Sequence, residues 1–292
     1  MNRDLLATCW TWAGDTAPAR DDESSPIPIA DRVAAVAAAG WKGVGIVHAD
    51  VVKIRESIGL RSLRSMLDDH GISEVQLEFI SNWWTDGDLR RESDRVRNDL
   101  FDAAATLGTT TIKVGAGLQA FGEDNPIDLG AFAESFDALA TDAGKHGVRV
   151  ALEPMPMANI RTIAEGAKLV TEVGNAHGGL VVDTWHVGRA GTSYADLPTL
   201  LPMDHVFVVE LDDADAEVKG SLWDDTINNR RMPGDGALDT AGFIAAMLKA
   251  GWEGGWGVEI ISDELRALPV GQGVQQVFDK TQAAIDQALE RI

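Results

Sequence analysis

Several features are scarce in this sequence of 292 residues, and each scarcity excludes a class of protein. The single cysteine, Cys9, cannot form an internal disulfide, which argues against a disulfide-stapled secreted domain. No apolar run approaches the roughly 18 residues needed to span a bilayer, and no basic segment followed by an apolar one opens the chain. We therefore expect a cytoplasmic protein with no membrane role.

Basic residues are also few, since 25 Lys plus Arg stand against 46 Asp plus Glu and the net charge is −21 at pH 7. Such an excess of negative charge repels the phosphate backbone of nucleic acids and the surface of an anionic membrane. Nucleic acid is therefore not an expected partner. Hydrophobic residues make up 45% and charged residues 24% of the chain, as is typical of a globular protein with a full core.

Short apolar runs with strand character alternate with segments of helical periodicity along the chain. The predicted strands are Leu5 to Trp10, Gly43 to His48, Glu74 to Ile80, Thr110 to Gly115, Arg149 to Pro154, Gly179 to Thr184, Val206 to Leu211 and Trp256 to Ile260. The predicted helices are Asp31 to Ala39, Leu63 to His70, Leu89 to Leu107, Leu129 to His146, Ile160 to Val173, Asp239 to Ala250 and Val274 to Ile292.

This alternation favours an α/β fold in which parallel strands are joined by helices, and eight units that close on themselves make a (β/α)8 TIM barrel. An open doubly wound sheet would normally have a Gly-rich turn after its first strand, and that turn is absent here. We expect residues 1–292 to form one barrel domain. Two long loops follow strands one and seven, at about 14–29 and 214–236, and either could cover the catalytic face or be a solvated loop.

Four consecutive predicted strands carry an acid near their carboxyl end. These acids are Glu153, Asp183, Glu210 and Glu259. Strand ends converge at one mouth of a barrel, where four ionised carboxylates need a cation to neutralise them. An all-oxygen ligand set favours a hard divalent ion, Mn²⁺ or Mg²⁺. Any one acid alone could instead cap a neighbouring loop, but the shared position in four successive units favours a metal site.

Other side chains near strand ends are candidates for substrate contacts. They are His186, three residues after Asp183, together with His48, Glu78, Lys113 and Trp83, which is followed by a second tryptophan, Trp84. Aromatic faces suit the C–H surfaces of sugars, and polar tips supply hydrogen bonds. Each of these residues could instead be structural. Lys113 could pair with a glutamate, and a histidine beside a tryptophan is commonly packed in the core.

At this level of detail the chain resembles the xylose isomerase-like TIM-barrel superfamily of sugar isomerases, epimerases and related dehydratases. The resemblance rests on Glu153-Pro154, on Asp183 with His186, on the turn "RMPGDG" at 231–236 and on Glu259. Asp235 replaces the usual glutamate of that turn. The chain also departs at strand seven, where "VELDD" places Glu210 at the position of the usual liganding histidine and keeps the following acid as Asp213.

The resemblance implies a metal held by Glu153, Asp183, Glu210 and Glu259. It further implies that Glu153 and Glu259 accept and donate a proton on opposite faces of a substrate whose enediolate the metal stabilises. An arginine ahead of the turn would contact substrate, and we favour Arg230 over Arg231.

The expected function is therefore a metal-dependent isomerase or epimerase of a sugar, keto-sugar or related polyol. A lyase or dehydratase of the same superfamily, in which the same intermediate expels a β-substituent, is the main alternative. A sugar-binding barrel with a decayed metal site is the second, and the superfamily's DNA endonucleases are disfavoured by the negative charge. Association into a homo-oligomer stays open, since no repeat or exposed apolar stripe fixes a stoichiometry.

Overall fold

The chain forms a closed barrel of eight parallel strands, seen in a computed structural model that describes residues 2–117 and 127–292. The strands, β1 to β8 in chain order, are Leu5–Ala7, Gly43–Val47, Glu74–Ile80, Thr111–Gly115, Arg149–Glu153, Gly178–Asp183, Val206–Leu211 and Trp256–Val258. Each strand pairs with its sequence neighbours, and β8 pairs in parallel with β1 to close the ring. The predicted (β/α)8 barrel is confirmed.

Helices surround the barrel between successive strands. The longer helices are Ile29–Ala39, His48–Ser57, Leu60–Asp69, Gly87–Leu107, Leu129–Lys145, Ile163–Val173, Thr240–Ala250 and Val270–Leu289. Shorter helical segments are Cys9–Trp12, Thr184–Arg189, Leu197–Leu200, Leu222–Asn228 and Asp263–Arg266, with 3-10 turns at Tyr194–Asp196 and Met203–His205. A small antiparallel ribbon joins Asp213–Ala214 to Arg230–Arg231.

Local sequence explains where several of these helices begin and end. The Thr162 hydroxyl and the Glu165 carboxylate cap the start of Ile163–Val173 reciprocally, which satisfies backbone N–H groups that have no partner within the helix. Gly251 ends Thr240–Ala250 with φ of 100°, a left-handed conformation that costs little only for glycine. The strands are rich in Val, Ile and Leu and buried on both faces, as a parallel barrel requires.

The largest differences from the predicted boundaries lie at the catalytic mouth, by which we mean the end of the barrel formed by the carboxyl termini of the strands. The first strand ends at Ala7 instead of Trp10, because Cys9–Trp12 is helical. Thr11 stabilises this turn, since its hydroxyl donates to the Val258 carbonyl at 2.7 Å and accepts from the Ile260 N–H at 2.8 Å. The helix His48–Ser57, which the sequence pattern does not predict, starts directly after β2.

Both long segments that follow strands are anchored to the barrel. In the first, the Ser25 hydroxyl donates to the Ala13 carbonyl at 2.6 Å, and Lys53 donates to the Ser25 carbonyl at 2.8 Å. The second contains the helix Leu222–Asn228 and the ribbon. There the Asp213 carboxylate accepts backbone N–H groups of Gly234, Gly236 and Leu238. Asp213 therefore holds the "RMPGDG" turn in place.

Candidate metal centre and active site

Four buried acids meet at the catalytic mouth. Glu153 and Asp183 are the last residues of β5 and β6. Glu210 lies opposite Asp183 in the register of β6 and β7, and Glu259 directly follows β8. One carboxylate oxygen from each acid lies within 4.8 Å of the others. The structure thus brings together the four side chains predicted as metal ligands, because parallel strands deliver their carboxyl ends to one plane.

Lys113, on β4, lies below these acids and is almost completely buried. Its ammonium contacts Glu78 Oε2 at 2.7 Å, Glu210 Oε1 at 2.9 Å and Glu259 Oε1 at 3.1 Å. An ammonium has three N–H donors, so these contacts use its full capacity. The neighbouring carboxylates outweigh burial and raise the pKa of Lys113 well above its usual range. Lys113 is therefore a permanent internal cation of the site.

Arg230 is the second internal cation. Its Nη1 lies 2.8 Å from Asp183 Oδ2 and 3.2 Å from Glu259 Oε2, and it also donates to Asp212. The other side of the guanidinium donates to the Thr226 hydroxyl at 2.9 Å. The next residue, Arg231, points away from the site. Its guanidinium contacts Asp215 at 3.1 Å and Glu264 at 2.7 Å, so the site arginine is Arg230.

Burial, together with the nearby carboxylates, raises the pKa of two of these acids strongly. Burial raises the pKa of Glu210 well above its usual range, and the nearby Glu259 adds to this effect in spite of the charge of Lys113. Burial also raises the pKa of Asp212, to which Asp183 contributes. These carboxyl groups therefore hold protons at pH values where ordinary acids are ionised.

Glu153 and Glu259 belong to the same buried cluster, but their pKa values are shifted in opposite directions. Burial raises the pKa of Glu259. Burial acts on Glu153 in the same direction, but the charges of Lys113 and His186 outweigh it and lower the pKa of Glu153 to about 2. The acids at β5 and β8 thus favour opposite protonation states in the metal-free site.

His186 is fixed by the turn that follows β6. Its backbone N–H donates to Asp183 Oδ1 at 2.8 Å, so Asp183 caps the short helix Thr184–Arg189 with one oxygen while its other oxygen faces Arg230. The His186 ring packs edge-on against Trp185, and its Nε2 lies 3.3 Å from Glu153 Oε1. This explains the spacing of Asp183 and His186 in the sequence, because one capping hydrogen bond fixes the positions of both residues.

The donor set fits a divalent metal ion. Within the described residues, Glu210 Oε2 is a buried oxygen that accepts no hydrogen bond, and Glu153 Oε1 lies 3.3 Å from the His186 ring nitrogen Nε2. Leaving an acceptor such as Glu210 Oε2 buried and unpaired is unfavourable, and an ion ligated by it would remove the penalty. Four carboxylates at mutual ligand distance provide only oxygen donors, as hard divalent ions prefer. The residues that could hold the ion are therefore Glu153, Asp183, Glu210 and Glu259.

A cavity of about 530 Å³ opens above this centre. Its base includes Glu78, Glu153, His186, Arg230 and Glu259, and His48 lies on its wall. His48 Nε2 contacts the Asp99 carboxylate at 2.9 Å. The volume is suitable for a small substrate held directly against the acids.

Two predicted substrate contacts, Lys113 and Trp83, are not among the residues that line the cavity. Lys113 is buried beneath it and paired with glutamates. Trp83 is buried in the core, 4.5 Å from the ring of Phe132, and its indole N–H donates to the Gly115 carbonyl at 2.8 Å. The adjacent Trp84 lines the cavity instead. Consecutive residues in the loop after β3 point in different directions, and the sequence offers no signal for which of the two tryptophans turns outward.

Several residues at the site were not singled out from the sequence. Asp212 binds Arg230, and its only signal is the run of acids in "ELDDAD". Trp10, Glu23 and Trp223 line the cavity. Trp10 lies in the helix Cys9–Trp12, where the sequence predicted the end of the first strand, and Glu23 and Trp223 come from the long segments after β1 and β7. Those segments were recognised as candidate coverings of the mouth, but no motif in them marks which side chains point inward.

A family model described as a xylose isomerase-like TIM barrel matches residues 33–288. The chain belongs to that family. This confirms the resemblance predicted from the acids at the strand ends and the Pro-Gly turn.

Two relatives in the family have different named activities. A 3-dehydroshikimate dehydratase of Pseudomonas putida is 28% identical over 246 residues, which cover 83% of this chain and 37% of that protein. An inosose isomerase of Halalkalibacterium halodurans is 28% identical over 145 residues, or 49% of this chain and 50% of that protein. The matched regions thus span half or less of either relative's length. Both relatives are named as enzymes, in agreement with the prediction that this chain is an enzyme.

A solved structure, that of the IOLI protein with a bound zinc atom, has a TM-score of 0.79 to this chain. It is 18% identical, and the match covers 99% of both chains. At this identity the likeness shows the fold alone. Among the described residues of our chain, no helix is both long enough and apolar enough to cross a membrane.

Proposed function

We propose that this chain is a divalent-metal-dependent isomerase or epimerase of a small carbohydrate, a keto-sugar or keto-cyclitol. The observation that carries the proposal is the set of four buried carboxylates within ligand distance of one another, two of which, Glu153 and Glu259, line a cavity. So many acids in one buried volume cost stability unless they bind a cation, so their presence favours function over structure.

Mn²⁺ or Mg²⁺ is the proposed ion, because each donor is a carboxylate oxygen. When bound, such an ion supplies positive charge to the carbonyl and adjacent hydroxyl oxygens of a substrate, which lowers the cost of removing the neighbouring proton. Glu153, Asp183, Glu210 and Glu259 would hold it.

Glu153 and Glu259 are the proposed proton acceptor and donor. They lie on β5 and just after β8, three strands apart around the barrel, and both line the cavity. A substrate between them is therefore approached from two sides, as epimerisation or isomerisation requires. His186 and Arg230 also face the cavity and would contact substrate oxygens, while Lys113 stays below and holds Glu78, Glu210 and Glu259 in position.

A dehydratase is the second candidate. The same abstraction of a proton next to a carbonyl is followed by loss of a β-hydroxyl group instead of reprotonation. The similarity to the 3-dehydroshikimate dehydratase, over 83% of this chain, supports this alternative.

The first experiment measures metal content after incubation of the full chain with Mn²⁺ and removal of excess ion by dialysis. We expect near-stoichiometric Mn²⁺ in the wild type and at least about tenfold weaker binding in Glu153→Gln. Glu134→Gln, which changes an exposed glutamate of the helix Leu129–Lys145 in the same way, should bind like the wild type.

The second experiment follows keto-sugars and an inosose in deuterated water by NMR. Solvent deuterium at the carbon next to the carbonyl, with no loss of water, identifies an isomerase or epimerase, whereas an eliminated product identifies a dehydratase. Failure of Mn²⁺ to bind at any concentration would overturn the metal-dependent mechanism and favour a non-catalytic sugar-binding barrel.

A further inference from the structure

The cavity above the candidate metal centre is lined by an excess of negative charge. Its acidic lining residues are Glu23, Glu78, Glu92, Glu153 and Glu259. Arg230 is the one lysine or arginine among the described residues that line it. Its guanidinium is already paired with Asp183, Asp212 and Glu259. A substrate anion therefore finds no unpaired guanidinium or ammonium among these residues.

Glu23 belongs to the segment between the helix Cys9–Trp12 and the helix Ile29–Ala39, away from the four proposed metal ligands in sequence. Its Oε1 accepts the backbone N–H of Ala19 at 2.7 Å, which fixes the carboxylate at the cavity wall. Glu23 thus places a carboxylate at the wall of the cavity, and in its ionised form it would repel a negative group placed there.

Aromatic side chains supply the apolar part of the lining. Trp10 lies in the helix Cys9–Trp12, Trp84 in the loop after β3 and Trp223 in the helix Leu222–Asn228, and each contributes to the cavity. Indole faces pack well against the C–H surface of a polyhydroxylated ring, while the glutamates accept hydrogen bonds from its hydroxyl groups. The combination suits a ring that is rich in hydroxyl groups and carries no negative charge.

We propose, on the basis of the proposed function above, that the substrate is an uncharged polyhydroxy ketone and that Glu23 excludes the corresponding carboxylate or phosphate. The carbonyl and the adjacent hydroxyl of a substrate would face the metal-binding acids. A carboxylate elsewhere on the same ring then points to the walls, where Glu23 lies, whereas Glu92 is paired with Arg95. In a partly buried site such repulsion is weakly screened and selects strongly against the anion.

The test compares two six-membered cyclic ketones that differ in charge, an inosose and 3-dehydroshikimate, by calorimetric titration of the full chain in excess Mn²⁺. We expect the wild type to bind the inosose at least about tenfold more tightly. Glu23→Lys should reduce this preference by about tenfold or more, because it replaces repulsion by attraction at the cavity wall. Glu23→Gln should reduce it by a smaller factor.

Asp21→Lys is the matched control, since it introduces the same change of charge two residues away on an exposed side chain outside the cavity lining. It should alter the preference by less than about twofold, as expected for a screened charge. Equal binding of both ketones by the wild type, or an unchanged preference in Glu23→Lys and Glu23→Gln, overturns the proposal. If Mn²⁺ binds but neither ketone does, the substrate class is wrong and the metal centre stands. If Mn²⁺ also fails to bind, the proposed function fails.

Discussion

Two buried arginines of this molecule each lie over a tryptophan, yet their electrostatic surroundings differ. The guanidinium of Arg32 lies 4.6 Å from the ring centre of Trp12 and forms one ion pair, to Asp50 at 2.8 Å. The second oxygen of Asp50 accepts the Ser25 N–H at 2.9 Å, so the carboxylate is fully used within the protein.

Arg230, over Trp185 at 5.5 Å, is surrounded by an excess of acids instead. Asp183, Asp212 and Glu259 all contact its guanidinium, and together they outweigh burial and raise its pKa well above its usual range. For Arg32, burial dominates over the single partner Asp50 and lowers the pKa.

The contrast separates a structural ion pair from a functional one. A balanced pair such as Arg32 with Asp50 neutralises its own charges, and through the Ser25 N–H it anchors the segment after β1. The cluster around Arg230 and Lys113 keeps more carboxylates than its own cations can neutralise, which leaves oxygens available to an external cation. Removing an acid should therefore have different consequences at the two places.

The largest effect on stability is expected at the balanced pair. Asp50→Ala leaves the Arg32 guanidinium buried without a carboxylate, which should cost about 3–5 kcal/mol in the free energy of unfolding. Urea unfolding followed by tryptophan fluorescence measures the loss. Asp69→Ala, at an exposed helix end, is the control and should change stability by less than about 0.5 kcal/mol. A loss below about 1 kcal/mol in Asp50→Ala would contradict the structural role.

In the cluster of acids around Arg230 and Lys113, Glu210→Gln should change the free energy of unfolding of the metal-free protein by less than about 1 kcal/mol. The raised pKa of Glu210 favours the neutral form of this side chain in the folded protein, and glutamine resembles that form. The affinity for Mn²⁺ should nevertheless fall at least about tenfold. Urea unfolding without metal and titration with Mn²⁺ measure the two quantities. A strongly destabilised metal-free variant would show that Glu210 is ionised and structural.

The pH dependence of stability sharpens the same contrast. The folded, metal-free protein keeps protons on Glu210, Asp212 and Glu259 that the unfolded chain releases. Its stability should therefore fall as pH rises above about 4.5, the ordinary pKa of a glutamate. Glu153, whose pKa is lowered to about 2, contributes stability that is complete above that ordinary pKa and is lost only in stronger acid.

Melting temperatures with and without Mn²⁺, at about pH 5 and about pH 8, test this dependence. We expect the gain from Mn²⁺ to be larger at the higher pH, where the ion binds ionised ligands without displacing their protons. Equal gains at both values would show that the carboxylates are ionised throughout the range.

The smallest effect is expected at the neighbouring arginine. Arg231→Gln removes ion pairs to Asp215 and Glu264 near the surface and should change stability by at most about 1 kcal/mol, with metal binding unaffected. Arg230→Gln should instead alter Mn²⁺ affinity, because it removes the guanidinium from Asp183 and Glu259. Titration of both variants with Mn²⁺ compares their affinities for the ion. Equal affinities would contradict the assignment of Arg230 to the site.

Much of the fold and the ligand set could be predicted because both depend on local patterns. Alternating apolar runs and helical segments indicated the barrel, and each acid was recognisable from its place at the end of its own strand. The helix His48–Ser57 was missed, since its low hydrophobicity gives little helical pattern apart from the buried Val51 and Ile54.

The sequence by itself determined the eight β/α units and the four acids at one mouth, because strand period and strand ends are properties of short segments. Only the tertiary structure decided that Lys113 and Arg230 lie among those acids, that Trp84 and not Trp83 faces the cavity, and that Glu23 joins its wall. Lys113 and Glu210 are 97 residues apart in the chain, and only closure of the barrel brings them to 2.9 Å. Such contacts follow from the directions of side chains in loops and across the ring, which no short segment specifies.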